Sequence, residues 1–469
     1  MDFDTALIYF FTLFVCIAVG RYYKKIDQNE IKKNYGAGIG FMVVCLVCRQ
    51  YAFFSLLLIW GNIMILKCSD KRYVNELSIS FTWLYLLYVV SNLKPGDFAL
   101  YINQQLAIRL VGLASEINLI EFKRMNILGD PRHAAGIPGS VPSLCLTTEE
   151  SSMLDISALD VCAYAYHYIG IHKGPYYNYK EYLYHFNSPF TKLGDFRLIT
   201  TQKLKKTLCF VIVYALLRYK FTPEIFYDDR FYNEEDFNTE LRFLYNIPLL
   251  IMFTLKHEII VSLSTCVFTE AGFGVYPALC LAHPGHGPTA NEHLLSESSD
   301  AVTRAGAYEY NFAILRCFDN RRLFFGPRMR DTLKSWDIAT RYWFFTYVYS
   351  NLRSLRRKEV RSATAFAAWA VWSGFSIPQA ILVATMWVWV NLEHEYFELF
   401  NIHQSLTKPA WNVGFSIMRL LCLIYLTPCL IIYDTPTVFR FYNSMCWMFH
   451  ITILGFIIFA IILFKVRMG

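Results

Sequence analysis

Between residues 362 and 392 the chain carries no charged side chain, and directly before it Arg353, Arg356, Arg357, Lys358 and Arg361 crowd into nine residues. A basic cluster beside a long apolar run marks the cytosolic side of a membrane. About 20 apolar residues already span the hydrocarbon, so this run is too long for one upright crossing. Its middle, Trp372-Ser373-Gly374-Phe375-Ser376-Ile377-Pro378, contains the two residue types that most disturb a helix. At roughly 1.5 Å per residue from the basic cluster, Ser373 falls on the order of 18 Å inside, near the midplane. Loosened backbone at that depth is tolerated where protein buries it or where it lines a water-filled cavity. The expectation is an internal chamber at Trp372, Ser373 and Gly374, open to the cytosol; the alternative is an ordinary kinked helix.

The rest of the chain agrees with a membrane setting. Of 469 residues, 55% are hydrophobic and 17% aromatic, which excludes an ordinary soluble enzyme. The net charge of +7 resides largely in short basic loops such as Arg21, Lys24, Lys25, Lys32 and Lys33, so it reads as topology and headgroup contact. No basic groove with interleaved base-stacking aromatics is present, which argues against nucleic acid. The 13 cysteines are scattered without a disulfide spacing, and Cys45 and Cys48, a CxxC inside an apolar run, read as packing residues. Residues 6–20 are apolar, but Asp2 and Asp4 precede them where a signal peptide would be basic. A retained first helix with its N-terminus in the lumen is expected.

Apolar stretches recur at 38–66, 77–90, 207–219, 247–268, 362–392, 413–432 and 445–464. The first contains Arg49 and has the length of a helical hairpin, whereas 207–219 is short enough for a tilted or re-entrant helix. The expectation is an all-α polytopic membrane protein of about nine to eleven transmembrane helices, forming a single membrane domain over residues 1–469. Polar stretches at 118–155, 174–206 and 282–334 show no repeat and no low complexity.

Ionisable residues inside a span are costly and by default functional. Lys256-His257-Glu258, in the middle of 247–268, could line a polar tunnel, pair locally, or mark a boundary between half-helices. His450 reads as a packing histidine. Cys280, His283, His286 and His293 have zinc-compatible side chains, but their spacing is cramped and proline-rich, so a polar loop is the reading and no metal is expected. There is no nucleotide-phosphate loop, no GxSxG elbow and no acidic metal motif.

Several stretches, in order, carry a family likeness: Leu110-Val111-Gly112-Leu113-Ala114-Ser115-Glu116-Ile117; Tyr168-Ile169-Gly170 with Gly174-Pro175-Tyr176-Tyr177-Asn178-Tyr179; Ala271-Gly272-Phe273-Gly274-Val275-Tyr276-Pro277; Tyr308-Glu309-Tyr310; and the aromatic segment 336–349 followed by Trp372-Ser373-Gly374. On these the sequence resembles the membrane-bound O-acyltransferases, and most of all their lysophosphatidylinositol acyltransferase branch. The resemblance implies a helical bundle around an internal chamber in the endoplasmic reticulum membrane. It also implies a reaction in which a lysophospholipid hydroxyl attacks the thioester of acyl-CoA, a co-substrate, with no permanently bound cofactor. Lysophospholipid, acyl-CoA and membrane lipids are the implied partners.

In such relatives the broken helix holds Trp-His-Gly, whose histidine acts as general base, and a Trp-Asn pair supplies the second catalytic position. Here those positions read Trp372-Ser373-Gly374 and Trp336-Asp337. The implied catalytic pair is therefore Ser373 and Asp337, with Trp336, Trp372 and Gly374 lining the chamber. Serine does not act as a base near neutrality, whereas an aspartate raised by burial can. Loss of a general base typically removes a factor of about 10²–10⁴, although a positioned thioester still reacts slowly. Two readings follow: an acyltransferase in which Asp337 stands in as base, and a pseudoenzyme that binds lysolipid or acyl-CoA or pairs with an active relative. A transporter built on broken helices is a third, against which no inverted hydropathy repeat is found.

Overall fold

A computed structural model describes residues 3–93, 97–128, 146–187, 196–291, 293–296, 309–354, 356–400, 402 and 407–468. The chain divides into two compact units, Met1–Thr201 with Leu263–Leu315, and Gln202–Ser262 with Arg316–Gly469.

The first unit contains α1 (Phe3–Lys24), α2 (Asn29–Cys48), α3 (Ala52–Cys68), α4 (Val74–Asn92), α5 (Phe98–Leu128), α6 (Thr148–Leu154), α7 (Ala158–Ala165) and α8 (Tyr179–Asn187). One turn of 3-10 helix at Arg49–Tyr51 separates α2 from α3, with Arg49 in a left-handed conformation, so the long apolar stretch breaks at its charged residue. Helix α5 is the centre of this unit. Its Leu106, Ile108, Leu110, Val111, Leu113 and Ala114 are fully buried, yet so are Asn103 and Arg109. A buried guanidinium needs acceptors, and Arg109 donates to the carbonyls of Ala165 at 2.9 Å, His167 at 3.0 Å and Ile169 at 2.6 Å. Its plane also lies over the Tyr177 ring, 4.8 Å from the centroid. Three of the motif stretches thereby meet. At Gly112 a Cβ would come within 2.2 Å of the Tyr176 hydroxyl, so only glycine lets that ring approach α5.

Helices α9 (Arg197–Lys220) and α10 (Thr239–Ala271) each contribute to both units. Helix α9 extends well before the apolar stretch 207–219, because Gln202, Lys203, Leu204 and Lys205 are good helix formers. A two-stranded antiparallel pair, β1 (Tyr276–Pro277) with β2 (Tyr310–Asn311), and the short α11 (His293–Ser296) complete the first unit.

The second unit continues with α12 (Asn320–Phe325), α13 (Met329–Ser335), α14 (Ile338–Trp343), a π-helical turn Phe344–Tyr349, α15 (Lys358–Trp372), α16 (Ile377–Leu399), α17 (Lys408–Tyr425), α18 (Thr427–Ile431), α19 (Thr435–Ser444) and α20 (Met448–Met468). Its core gathers Leu382, Trp389, Tyr425, Phe441, Tyr442 and Phe449. Two buried charges hold the α12–α13 segment. Glu393 of α16 accepts from the Met329 amide with both oxygens, at 3.0 and 2.9 Å, and from Trp389 Nε1 at 2.8 Å, placing a carboxylate where the first turn of α13 leaves a donor unpaired. Arg419 of α17 donates to the carbonyls of Leu323 at 2.6 Å and Phe324 at 2.7 Å and to Thr332 Oγ1 at 2.7 Å.

Among the described residues, three helical stretches are long and apolar enough to cross a membrane: Asp4–Lys24, Asn29–Cys68 and Thr239–Ala271. A fourth arises if Thr435–Ser444 and Met448–Leu463, bent by 71°, form one span. The protein is an all-helical membrane protein in its main lines.

Candidate active site

Two interruptions in the second unit carry the residues at the motif positions. The first lies between α13 and α14. Asp337 has φ 40° and ψ 66°, a left-handed conformation, and its Oδ1 accepts from the Thr340 amide at 3.4 Å as the N-cap of α14. The next amide, of Ile338, donates to the Cys317 carbonyl at 2.9 Å. Aspartate and asparagine are the non-glycine residues that best tolerate this conformation, and both cap helices well. Asp337 therefore holds a backbone conformation that an asparagine would also accept.

Trp336 ends α13 and sits among three rings. Phe253 stacks on it at 5.9 Å with 9° between the planes, Phe318 meets it edge-on at 5.1 Å, and His257 lies 5.6 Å away at 57°. His257 Nδ1 is 2.9 Å from the Phe253 carbonyl one turn earlier in α10. The charged triplet of α10 is thus split. His257 joins the tryptophan, whereas Glu258 is buried and accepts a hydrogen bond from Asn320.

The second interruption separates α15 from α16. Trp372 is 5% exposed and meets Phe344 edge-on at 5.7 Å, at the start of the π-helical turn. Turns of that type recur at functional sites. The Ser373 amide still donates to Trp369 O at 2.9 Å, after which Gly374 takes φ 102°, a conformation that calls for glycine. Ser376 Oγ caps α16 by accepting from the Gln379 amide at 3.3 Å, with Pro378 in the first turn. The helix is broken where the sequence indicates. Ser373 Oγ donates to Ala370 O at 3.1 Å and accepts from Gln379 Nε2 at 2.8 Å. Its hydroxyl is committed to its own helix and to Gln379, not to Asp337. Trp336, Asp337, His257 and Ser373 are all half-buried, while Trp372 and Gly374 are buried.

Gln379 escaped the sequence reading, although Ser376-Ile377-Pro378-Gln379 has the spacing of a capping box. Glu393 and Arg419 left no local signal, since Met329 on the one side and Leu323, Phe324 and Thr332 on the other are distant in sequence. His450 packs in the core with Thr385 Oγ1 at 3.2 Å and the Tyr425 hydroxyl at 3.0 Å. In the Cys280 region, the His283 amide donates to Gly287 O at 2.9 Å, closing a turn, and the His293 side chain lies outside the described residues. No group of three or more metal-ligating side chains occurs among the described residues.

A membrane-bound acylglycerophosphatidylinositol O-acyltransferase of Drosophila melanogaster is 26% identical over 452 residues, covering 94% of this chain and 88% of the fly protein. The protein of that name from Homo sapiens is 26% identical over 377 residues, covering 78% of this chain and 74% of its own. One from Caenorhabditis elegans is 21% identical, covering 83% and 80%. The family match itself runs from residue 5 to residue 433, through both units and both interruptions. The chain belongs to the membrane-bound O-acyltransferase family.

Proposed function

We propose that this chain is an acyl-CoA-dependent lysophospholipid O-acyltransferase of the endoplasmic reticulum membrane, with lysophosphatidylinositol as favoured acceptor, acting in phospholipid acyl-chain remodelling. In this reading about nine to eleven membrane helices surround an internal chamber. The lysolipid hydroxyl attacks the thioester carbonyl, a C–O bond forms, the C–S bond breaks, and CoA leaves as the thiol. Asp337 and Ser373 occupy the two catalytic positions, with Trp336, Trp372 and Gly374 around them. The observation that carries the proposal is the pair of preserved interruptions: a left-handed cap after Trp336 and a glycine break after Trp372. The named activity of the fly, human and nematode relatives points the same way.

The test is direct. Purified protein in lipid nanodiscs is given arachidonoyl-CoA and a panel of lysophospholipids. Diacyl product above empty nanodiscs, greatest with lysophosphatidylinositol, is the expected result; its absence with every acceptor would sink the proposal.

The doubly engaged Ser373 hydroxyl favours a second reading, a pseudoenzyme that binds lysolipid or acyl-CoA or partners an active relative. Turnover in the unaltered chain overturns it. Activity that emerges only in Ser373→His with Asp337→Asn supports it.

A further inference from the structure

We infer that Arg341, with Arg330 and Lys334 beside it, binds the phosphodiester of the acceptor lipid and selects for headgroups that carry no cation. The inference rests on the acyltransferase reading above and adds the residues that set acceptor specificity.

The three cations lie on either side of the turn that carries Trp336 and Asp337. Arg330 and Lys334 stand one turn apart on one face of α13, and Arg341 follows on α14, where its amide donates to the Asp337 carbonyl at 2.9 Å. They are close enough to repel: Arg330 acts on Arg341, and both act on Lys334. Like charges one turn apart destabilise a helix, and a guanidinium withdrawn from water is costly unless it is paired. Arg330 is exposed, whereas Lys334 and Arg341 are half-buried. Among the described residues no side-chain hydrogen bond or ion pair engages any of the three. Asp331, the carboxylate that acts on Lys334, is spent on Arg328: it accepts from the Arg328 amide at 3.2 Å and lies 3.9 Å from Arg328 Nε. The turn thus gathers positive charge that the described residues do not neutralise, which is what a site for an anionic ligand requires.

Which anion it takes follows from reach. In a lysophospholipid four single bonds, about 5 Å at full extension, separate the reacting hydroxyl oxygen from the phosphorus. In acyl-CoA about thirteen bonds, or about 15 Å, separate the thioester sulfur from the first phosphorus. Arg341 follows Asp337 by one helical turn, about 6 Å, which matches the shorter span. Arginine holds two phosphate oxygens at once in a planar fork, and the added charge of Arg330 and Lys334 opposes a choline or ethanolamine nitrogen. Inositol carries no such cation, so the site discriminates by repulsion as well as by attraction.

Arg341→Gln tests this, because glutamine keeps a donor but removes the charge and the fork. In nanodiscs with arachidonoyl-CoA, kcat/KM for lysophosphatidylinositol is expected to fall by about 10–100-fold, chiefly through KM, while KM for arachidonoyl-CoA moves by less than about threefold. For lysophosphatidylcholine kcat/KM is expected to fall by less than about threefold, so the preference between the two acceptors collapses. Arg341→Lys, which keeps the charge, is expected to retain the preference. Equal losses for both acceptors, or a loss confined to the KM of arachidonoyl-CoA, would overturn the inference and leave the acyltransferase reading standing. If the parent converts no acceptor, that reading falls and binding decides, with native mass spectrometry counting lysophosphatidylinositol and lysophosphatidylcholine on the purified chain. A preference for the inositol lipid that Arg341→Gln abolishes supports the inference; no preference, or one that survives, overturns it. Should Arg341→Gln fail to fold, the double variant Arg330→Gln with Lys334→Gln decides by the same split between acceptors.

Discussion

The first unit and the candidate site of the second treat their polar side chains in opposite ways. In the first unit Arg109, His167, His185 and Glu181 are all buried; Arg109 and His167 are tied to carbonyls and phenols, and Glu181 accepts from the Asn178 amide. His167 has the Tyr23 hydroxyl 3.0 Å from one nitrogen and the Tyr177 hydroxyl 3.2 Å from the other. Burial holds both histidines well below their ordinary pKa, as neutral rings. In the second unit Asp337, His257 and Ser373 are half-buried at helix interruptions. The difference separates two uses of polarity. A sealed group specifies how elements fit together, whereas a group that must exchange a proton with a substrate has to be reachable.

The sharpest way to break this contrast is Arg109→Met. It leaves the carbonyls of Ala165 and His167 buried without this donor, at about 1–3 kcal/mol each, while the Ile169 carbonyl keeps the Tyr177 hydroxyl. That sum is a large share of the about 5–15 kcal/mol that holds an ordinary domain. The expected outcome is loss of folded protein in size-exclusion chromatography, with no soluble variant left to assay. A folded, active Arg109→Met would show that α5 does not depend on this clamp.

Glu181 comes next. Burial pushes its carboxyl up to about 8, against the pull of the Asn178 amide and helped by the neighbouring Glu116. A folded-state pKa above the unfolded value means that the contribution is complete below about 4.5 and fades as pH rises through about 8. The free energy of unfolding of the parent is expected to fall between pH 5 and pH 8.5, by an amount on the order of a few kcal/mol. In Glu181→Gln that slope is expected to flatten. An unchanged slope would mean that Glu181 is ionised and solvated.

How much of this contrast the sequence revealed follows from how local each feature is. The break at Ser373 and Gly374 was legible, since glycine and proline act on their own backbone. So was the helical membrane class, and with it the family. Helix α5 was not read as an element, because Asn103, Gln104, Gln105 and Arg109 depress its hydropathy although all four are buried. The carbonyls that hold Arg109 lie on a distant segment of the chain, and no local pattern reports them. The same holds at the candidate site. Lys256-His257-Glu258 stood out as charge in a span, but only the fold turns His257 to Trp336 and Glu258 to Asn320.

Asp337 sharpens the comparison at the reachable site. Asp337→Asn is expected to unfold at the same temperature as the parent and to keep its turnover within about tenfold, since asparagine supports both the left-handed backbone and the cap. Asp337→Ala loses the cap, worth about 1 kcal/mol, and leaves a left-handed residue without the polar side chain that eases that conformation, costing about 1–2 kcal/mol more. Differential scanning fluorimetry should therefore rank parent and Asn together and Ala below. Equal midpoints for all three would mean that the left-handed turn is not a constraint.

The smallest effect is expected at Gln379, whose amide donates to the Ser373 hydroxyl. Gln379→Leu removes that donor, but Ser373 is half-buried and water can take its place, so the loss should be no more than about 1 kcal/mol. The same deletion in a sealed environment would cost the full desolvation of the orphaned group. Comparing Gln379→Leu with Tyr177→Phe, which strips His167 and the Ile169 carbonyl of a buried phenol, measures that difference directly. The phenol variant is expected to lose at least twice as much stability. If the two losses are equal, depth of burial is not what distinguishes the polar groups of the candidate site from those of the first unit.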